Sequence, residues 1–189
     1  MIKVLLFLIL WLPATDTHSQ PAAEPGSESI SWNEFYKLQW HDFQGEPGEG
    51  SIGDAGAVVQ IKAKPFLVKK KIQYDVVALF NKRKSWSTDQ SETLLAHEQL
   101  HFDIAEVYAR KIRKKINELN DRGVNNIKTY NAAIQDLLLE SNHADQQYDL
   151  ETLHGALPKK QAVWSKQVKE DLSALHRYKK TKRVIRIAD

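Results

Sequence analysis

Residues 94–119 read LLAHEQLHFDIAEVYARKIRKKINEL, and apolar and histidine side chains recur in this stretch at helical spacing. At about 100° per residue they fall within one narrow stripe of a helix. The stripe consists of Leu94, His97, His101, Ile104, Tyr108, Ile112, Ile116 and Leu119. The pattern therefore predicts a long amphipathic helix whose inner face carries both histidines. Ser87 or Thr88 is its predicted N-cap, and Gly123 its predicted end.

Two more helices are predicted after it. The second covers about residues 126–148, and its short connection to the first helix makes the two antiparallel neighbours. The third begins near Pro158, because proline is favoured in the first turn of a helix. Asp103 and Glu106 are predicted to lie on the surface of the first helix or to support a ligand histidine. Its basic side chains off the stripe are predicted to form a solvated face, and they are Lys111, Arg113, Lys114 and Lys115.

The N-terminal half shows the two-residue alternation of strands instead of helical spacing. One alternation runs over residues 55–64 and a second over residues 72–80, with Pro65 and a lysine run in the connection. We therefore predict an α+β protein. A small N-terminal antiparallel sheet over residues 30–86 is followed by a helical half over residues 87–178.

The N-terminus has the pattern of an export signal. Residues 1–20 contain one lysine followed by an apolar run of about nine residues, which is too short to span a bilayer but typical of a signal peptide. Residues 21–29 are predicted to be a disordered leader, and residues 30–189 a single domain that ends in a basic tail at 179–189. We expect a soluble, exported protein, periplasmic or extracellular, with no integral membrane segment once the signal is removed.

Composition narrows the chemistry that is available to the chain. Its 189 residues contain no cysteine, which excludes thiolate zinc sites, iron–sulfur clusters and cysteine nucleophiles. Any transition-metal site must then use His, Asp or Glu. The net charge of +3 is too small to indicate a nucleic acid partner, and the sequence leaves the oligomeric state open.

Residues 97–101 read His-Glu-Gln-Leu-His, the H-E-x-x-H pattern. Two histidines four residues apart on a helix project from one face, so both imidazoles can reach one Zn²⁺ ion. A glutamate next to the first histidine can lean toward the attacking water and act as general base. The stretch predicts a zinc site with His97 and His101 as ligands and Glu98 as the catalytic residue.

A zinc site that keeps one position open for water needs a third protein ligand. The longer motif with a third histidine is absent, because Ile104 and Val107 occupy its positions. Candidate ligands follow further along the chain: His143, Asp145, Asp149, Glu151 and His154. His154 ranks first, because it precedes Gly155 and can project from a turn. Asp149 is the alternative, as third ligand or as a residue that orients a ligand imidazole.

The chain resembles a bacterial family, domain-of-unknown-function family 922, whose members are commonly described as secreted zinc-dependent proteases. The segments that carry the resemblance are Leu38–Gly45 (LQWHDFQG), Ser85–Trp86, His97–Ile104 (HEQLHFDI) and Tyr148–Gly155 (YDLETLHG). The resemblance implies an H-E-x-x-H metal site, with Asp149 and His154 as the matching downstream positions. One departure is Leu100, where the family pattern leads us to expect glycine or another small residue.

Two functions of different classes follow from these features. The first is a secreted zinc metallopeptidase acting on a peptide or protein substrate, in which Tyr148, His154 or His143 stabilises the oxyanion. A sheet followed by the metal helix is similar to the zincin layout, and by that analogy the strand at residues 72–80 binds an extended substrate by strand addition. The alternative is a non-catalytic, zinc-stabilised interaction domain of the envelope, in which four protein ligands close the site.

Overall fold

The computed structural model describes residues 27–69 and 71–180, so the predicted signal peptide and most of the predicted leader and basic tail lie outside the described residues. The described chain is an α+β protein, as predicted, with a small antiparallel sheet followed by three helices. Its strands are β1 (Ser29–Ser31), β2 (Ala55–Gly56), β3 (Val59–Val68), β4 (Lys71–Asn81) and β5 (Trp86–Ser87). Its helices are α1 (Glu92–Asp121), α2 (Ile127–Thr152) and α3 (Pro158–Ala174), with short 3₁₀ helices at Trp40–Asp42 and His176–Tyr178.

The three-stranded sheet has the order β1-β4-β3, and both pairs are antiparallel. β4 is therefore the central strand. β1 covers β4 only at Leu79–Asn81, so substrate binding by strand addition to residues 72–80 stays a prediction, although its C-terminal end is already paired. β3 is an edge strand and pairs with β4 over its full length, from Val59 opposite Phe80 to Val68 opposite Lys71. Pro65 lies within β3 and not in the connection, where the sequence predicted it. An edge strand tolerates proline, because the missing N–H can be on the unpaired side.

One face of α1 packs across the sheet, and the predicted stripe is shared between two sides of the helix: Ile112, Ile116 and Leu119 face the sheet cluster, whereas Ile104 and Tyr108 pack with α2 and α3. Alternate residues of β4 are buried, and they share one core cluster with the buried side chains of α1. The cluster includes Val76, Ala78 and Phe80 from the strand and Phe102, Ala109, Ile112 and Ile116 from the helix. Packing against the sheet therefore determines which face of α1 is buried. It also buries side chains that lie next to the predicted stripe.

The N-cap of α1 is Ser91, whose hydroxyl accepts a hydrogen bond from the N–H of Leu94. The prediction of Ser87 or Thr88 is wrong, because Ser87 belongs to β5 and the hydroxyl of Thr88 donates to the carbonyl of Asp54. At the other end Gly123, at φ 70°, follows the helix as predicted.

α2 and α3 cover the face of α1 that the sheet leaves open. Leu100 and Ile104 of α1 form a second core cluster with Tyr148 of α2 and Val168 of α3. The position where the family pattern suggests a small residue is thus filled by a buried leucine behind Tyr148. α3 begins at Pro158, as predicted. Within the described ranges, none of the helices is long and apolar enough to cross a membrane.

A buried ionic cluster fastens α1 to its neighbours. Oε1 of Glu106 accepts hydrogen bonds from Nε of Arg110 and Nη1 of Arg113, both at 2.9 Å. Arg110 also donates to the carbonyl of Leu172 in α3, and Arg113 to that of Val76 in β4. Glu106 and Arg110 are each only 2% exposed. The predictions that Glu106 lies on the surface or beside a ligand histidine, and that Arg113 belongs to a solvated face, are therefore wrong.

Asp103 is also buried and does not support a ligand histidine. Its Oδ1 accepts hydrogen bonds from Nε1 of Trp32 at 2.6 Å and from Nε2 of Gln99 at 2.9 Å. Oε1 of Gln99 in turn accepts the N–H of Leu38. These bonds hold the segment that follows β1 against α1, the helix that carries the two histidines.

Candidate metal centre

Three ligand-type atoms converge where α1 and α2 face each other. Nε2 of His97 and Nε2 of His101 are 3.2 Å apart, because four residues make about one turn of α1. Oδ1 of Asp149 lies 3.1 Å from each of these nitrogens. Both histidines are buried, and the Asp149 side chain is 29% exposed. The three residues form a compact group that could hold a metal ion.

The spacing of this group fits a small transition-metal ion. Bonds of about 2.0–2.1 Å in a tetrahedral arrangement place neighbouring ligand atoms about 3.3 Å apart. The observed separations of 3.1–3.2 Å are close to that value. Two imidazole nitrogens and one carboxylate oxygen are also a donor set that zinc accepts, and a three-ligand set leaves a tetrahedral ion one open position.

The ring of His97 is held from behind by α2 and α3. Nδ1–H of His97 donates to Oε1 of Gln161, which also accepts the hydroxyl of Tyr148 at 2.6 Å. The Tyr148 ring stacks on the His97 ring with centroids 4.7 Å apart. A proton on Nδ1 leaves Nε2 free to bind a metal ion. Because Tyr148 is completely buried and its hydroxyl is used in this way, the prediction that it stabilises an oxyanion is wrong.

His101 is oriented by a carboxylate of its own. Its Nδ1–H donates to Oδ1 of Asp145 at 2.6 Å. Asp145 lies on α2, one helical turn before Asp149. Burial works against the charged ring, but the hydrogen bonds to Asp145 and Asp149 outweigh it and raise the pKa of His101 to about 10. Burial also favours the neutral form of Asp149, yet the hydrogen bonds and charges of the two histidines lower its pKa well below the usual range. Binding of a metal at Nε2 of His101 therefore displaces a proton.

Glu98 lies beside the histidine pair and is buried. Its Oε2 accepts a hydrogen bond of 2.7 Å from the N–H of Ala57, just after β2. Burial raises the pKa of the Glu98 carboxyl, against the opposing effects of the His101 and His97 charges and of the Ala57 N–H. A carboxylate with a raised pKa is a stronger base than an exposed glutamate.

A cavity of about 300 Å³ opens in front of the group. One wall is residues 51–57, and the opposite wall is formed by α1 and the C-terminal end of α2. The lining includes Trp86, Leu94, His97, Glu98, His101, Asp145, Asp149 and His154. The candidate ligands, the glutamate and the cavity therefore share one place in the fold.

The backbone of β2 runs along one wall of this cavity. The carbonyl of Asp54 accepts the N–H of Thr88, and Gly56 pairs with Trp86, so Asp54 and Gly56 direct their backbone groups toward β5. In an antiparallel pair the residues between them direct their groups the other way. Ala57 follows this rule, since its N–H reaches Glu98. The N–H and C=O of Ala55 consequently point away from β5, on the side of Glu98.

The other predicted site residues lie at different distances from the group. His154 lines the cavity, with its side chain 46% exposed and its Nδ1 3.5 Å from Oδ1 of Asp149. Glu151 points away, because its carboxylate accepts from Nε2 of Gln147 and Nε1 of Trp164. His143 is exposed on α2 and does not line the cavity. The choice between His154 and Asp149 as third ligand stays a prediction, and the distances favour Asp149.

The chain turns sharply after α2 and brings a glycine against a ligand. Leu153, His154 and Gly155 all have positive φ, at 48°, 52° and 85°. A Cβ at Gly155 would lie 3.0 Å from Cγ and 3.1 Å from Cβ of His97. The turn therefore needs glycine both for its conformation and for the space that the imidazole occupies.

We expect Gly155→Ala to weaken metal binding about 10–100-fold, the range observed when the support of a ligand is disturbed. Gly123→Ala is the matched control, because Gly123 has φ 70° and a Cβ there meets nothing within 4 Å. Both substitutions cost roughly 1–2 kcal/mol of backbone strain, so only the contact with His97 separates them. Zinc titration against a competing chelator measures the difference, and equal affinities in the two variants would show that the contact does not constrain His97.

The fold and the site define an α+β protein with a buried His-His-Asp group that could hold a metal ion. Residues 36–155, more than half of the chain, match the family described as "Bacterial protein of unknown function (DUF922)", and the chain belongs to this family. The resemblance seen in the sequence motifs is thereby confirmed. No curated protein and no solved structure matches the chain.

Proposed function

We propose that the protein is an exported zinc-dependent metallopeptidase that hydrolyses peptide bonds. The observation that carries the proposal is the convergence of Nε2 of His97, Nε2 of His101 and Oδ1 of Asp149 within 3.2 Å of one another, beside Glu98 and a cavity. A three-ligand set that faces a cavity is the arrangement of catalytic zinc sites, whereas structural sites are closed by four protein ligands.

The residues of the chain divide the chemistry between them. Zinc held by His97, His101 and Asp149 would lower the pKa of water and polarise the scissile carbonyl. Glu98 accepts the proton of the attacking water, and its raised pKa suits that role. Glu98 then passes the proton to the leaving amine. Asp145 and Gln161 keep the two imidazoles in the tautomer that ligation requires.

β2 is the element that we expect to bind the substrate backbone. Its Ala55 lines the cavity and directs its N–H and C=O away from β5, so an extended peptide can pair with it next to Glu98. Of the residues predicted to stabilise the oxyanion, we favour His154, because its side chain lines the cavity and is half-exposed there. Both assignments place the scissile bond between residues 51–57 and the end of α2.

The experiment is a paired measurement on the purified protein without its first 20 residues. We expect about one zinc ion per chain by elemental analysis, and cleavage of at least some members of a mixed peptide library by mass spectrometry. Removal of the metal with a chelator should abolish cleavage, and adding zinc back should restore it. A zinc-loaded protein that cleaves no peptide in the library would refute the peptidase assignment.

One observation favours a second candidate, a zinc-stabilised interaction domain without catalysis. Nδ1 of His154 lies only 3.5 Å from Oδ1 of Asp149, so His154 is close enough to become a fourth ligand after a small shift. Four protein ligands would leave no position for water. A crystal structure of the zinc-loaded protein separates the candidates, since the peptidase requires three protein ligands and an open position, whereas the closed site requires both His154 and Asp149 on the metal.

A further inference from the structure

The hairpin formed by β3 and β4 ends in an apolar and strongly basic tip. Leu67 is 71% exposed and Val68 41% exposed, although both are aliphatic. Residues 62–74 contain five lysines and no aspartate or glutamate, while the whole chain has a net charge of only +3. Lysines on an edge strand discourage edge-to-edge aggregation, which accounts for Lys62 and Lys64. That role does not explain two aliphatic side chains in solvent at the end of the hairpin.

The geometry places apolar surface on both sides of the tip. Val68 pairs with Lys71, and Lys69, at φ 48°, follows Val68 in the turn. Successive strand residues point to opposite faces, and Leu67 and Val68 therefore project in opposite directions. On the face of Val68, a shallow depression is lined by Phe66, Val68, Lys69, Lys71 and Gln73. The tip thus offers an aliphatic end with ammonium groups around it.

Two carboxylates close to the tip are already paired with lysines outside it. Asp75, the first acidic residue after the tip in β4, forms an ion pair with Lys180 at 3.1 Å. On the helix side, Glu118 of α1 pairs with Lys114 and Lys115. Asp121 and Glu118 line a second depression together with Lys71, whereas the depression on the face of Val68 has no acidic residue in its lining.

We propose that the tip docks on the surface of an anionic phospholipid bilayer, with Leu67 and Val68 entering the headgroup region and the lysines contacting lipid phosphates. Aliphatic side chains surrounded by lysine are the combination that binds such a surface, since burial and charge attraction add. A nucleic acid would use the lysines but would leave both aliphatic side chains in water. The ten residues of β3 span about 30 Å, so the metal group lies at the far end of the hairpin from the docked tip and remains accessible.

The test is flotation with vesicles of phosphatidylglycerol and phosphatidylethanolamine, compared with vesicles of phosphatidylcholine alone. We expect binding to the first only, and weaker binding as salt is raised. Lys69→Gln with Lys71→Gln should lower the partition coefficient about 25-fold, at about five-fold per lysine. Leu67→Ser should lower it about ten-fold through the lost apolar burial.

Matched controls exist on the opposite side of the molecule. Leu150 is 73% exposed, so Leu150→Ser repeats the change at Leu67 away from the tip. Lys159→Gln with Lys160→Gln removes the same charge from the exposed start of α3. Binding that falls equally in the controls and the tip variants, or no binding to anionic vesicles at low salt, would overturn the proposal. Salt-sensitive binding to an oligonucleotide without vesicle binding would overturn it as well.

Discussion

Glu98→Gln should lower kcat/KM for peptide cleavage about 10²–10⁴-fold and leave the zinc content at about one ion per chain. The amide keeps an oxygen that can accept the Ala57 N–H, which Glu98 now binds at 2.7 Å. The variant therefore keeps the local fold but cannot take a proton from water. Since Glu98 is not one of the three converging ligands, metal binding should be unaffected. Rates on a peptide from the library screen and elemental analysis of the same sample measure both effects.

Glu92→Gln is the control for this substitution. It makes the same chemical change in the first turn of the same helix, at an exposed side chain outside the cavity lining. We expect it to cleave at the rate of the unmodified protein. If Glu98→Gln also cleaved at that rate, Glu98 would not be the general base. If Glu98→Gln lost its zinc, the carboxylate would belong to the metal site and the division of roles proposed above would fail.

The sequence predicted those parts of the fold that depend on the residue pattern within a single helix or strand. The stripe from Leu94 to Leu119 identified α1, because 3.6-residue periodicity is a local property that packing against a sheet preserves. The order of the strands was not predictable in this way. Whether a strand is central or at an edge depends on which partner it finds, and β1 is only three residues long. The N-cap was missed because Ser87 is held in β5, a pairing that is not local in sequence.

The candidate site was predictable in part, for a similar reason. His97, Glu98 and His101 follow from one motif on one helix. Asp145 and Asp149 also carry a local signal, because they are four residues apart on the helix that faces the histidine pair. Two i, i+4 pairs on antiparallel neighbours can meet. Gln161 and Ala57 have no such signal, since one is an ordinary helix residue and the other contributes only its backbone N–H.

Asp149→Ala should weaken zinc binding more than 100-fold, because even the loss of a residue that only orients a ligand costs about 10–100-fold. Asp149 is within 3.1 Å of both imidazole nitrogens, whereas the side chain of His154 is half-exposed and lies 3.5 Å from the Asp149 carboxylate. His154→Ala should therefore lower the affinity less than about ten-fold. His143→Ala, at an exposed histidine of the same helix that does not line the cavity, should leave the affinity unchanged. Competition with a chelator, with circular dichroism to show that each variant is folded, measures all three.

The opposite order of effects would reassign the residues in a definite way. If His154→Ala lost zinc and Asp149→Ala kept it, His154 would be the third ligand and Asp149 would orient it, which its 3.5 Å approach to Nδ1 permits. If both variants lost zinc, both side chains would be ligands, and the site would be closed by four protein groups. A closed site leaves no position for the attacking water, so this third outcome would favour the interaction domain over the peptidase. Asp149→Asn refines the comparison, because it keeps an oxygen at the same place and removes only the charge that the two histidines stabilise.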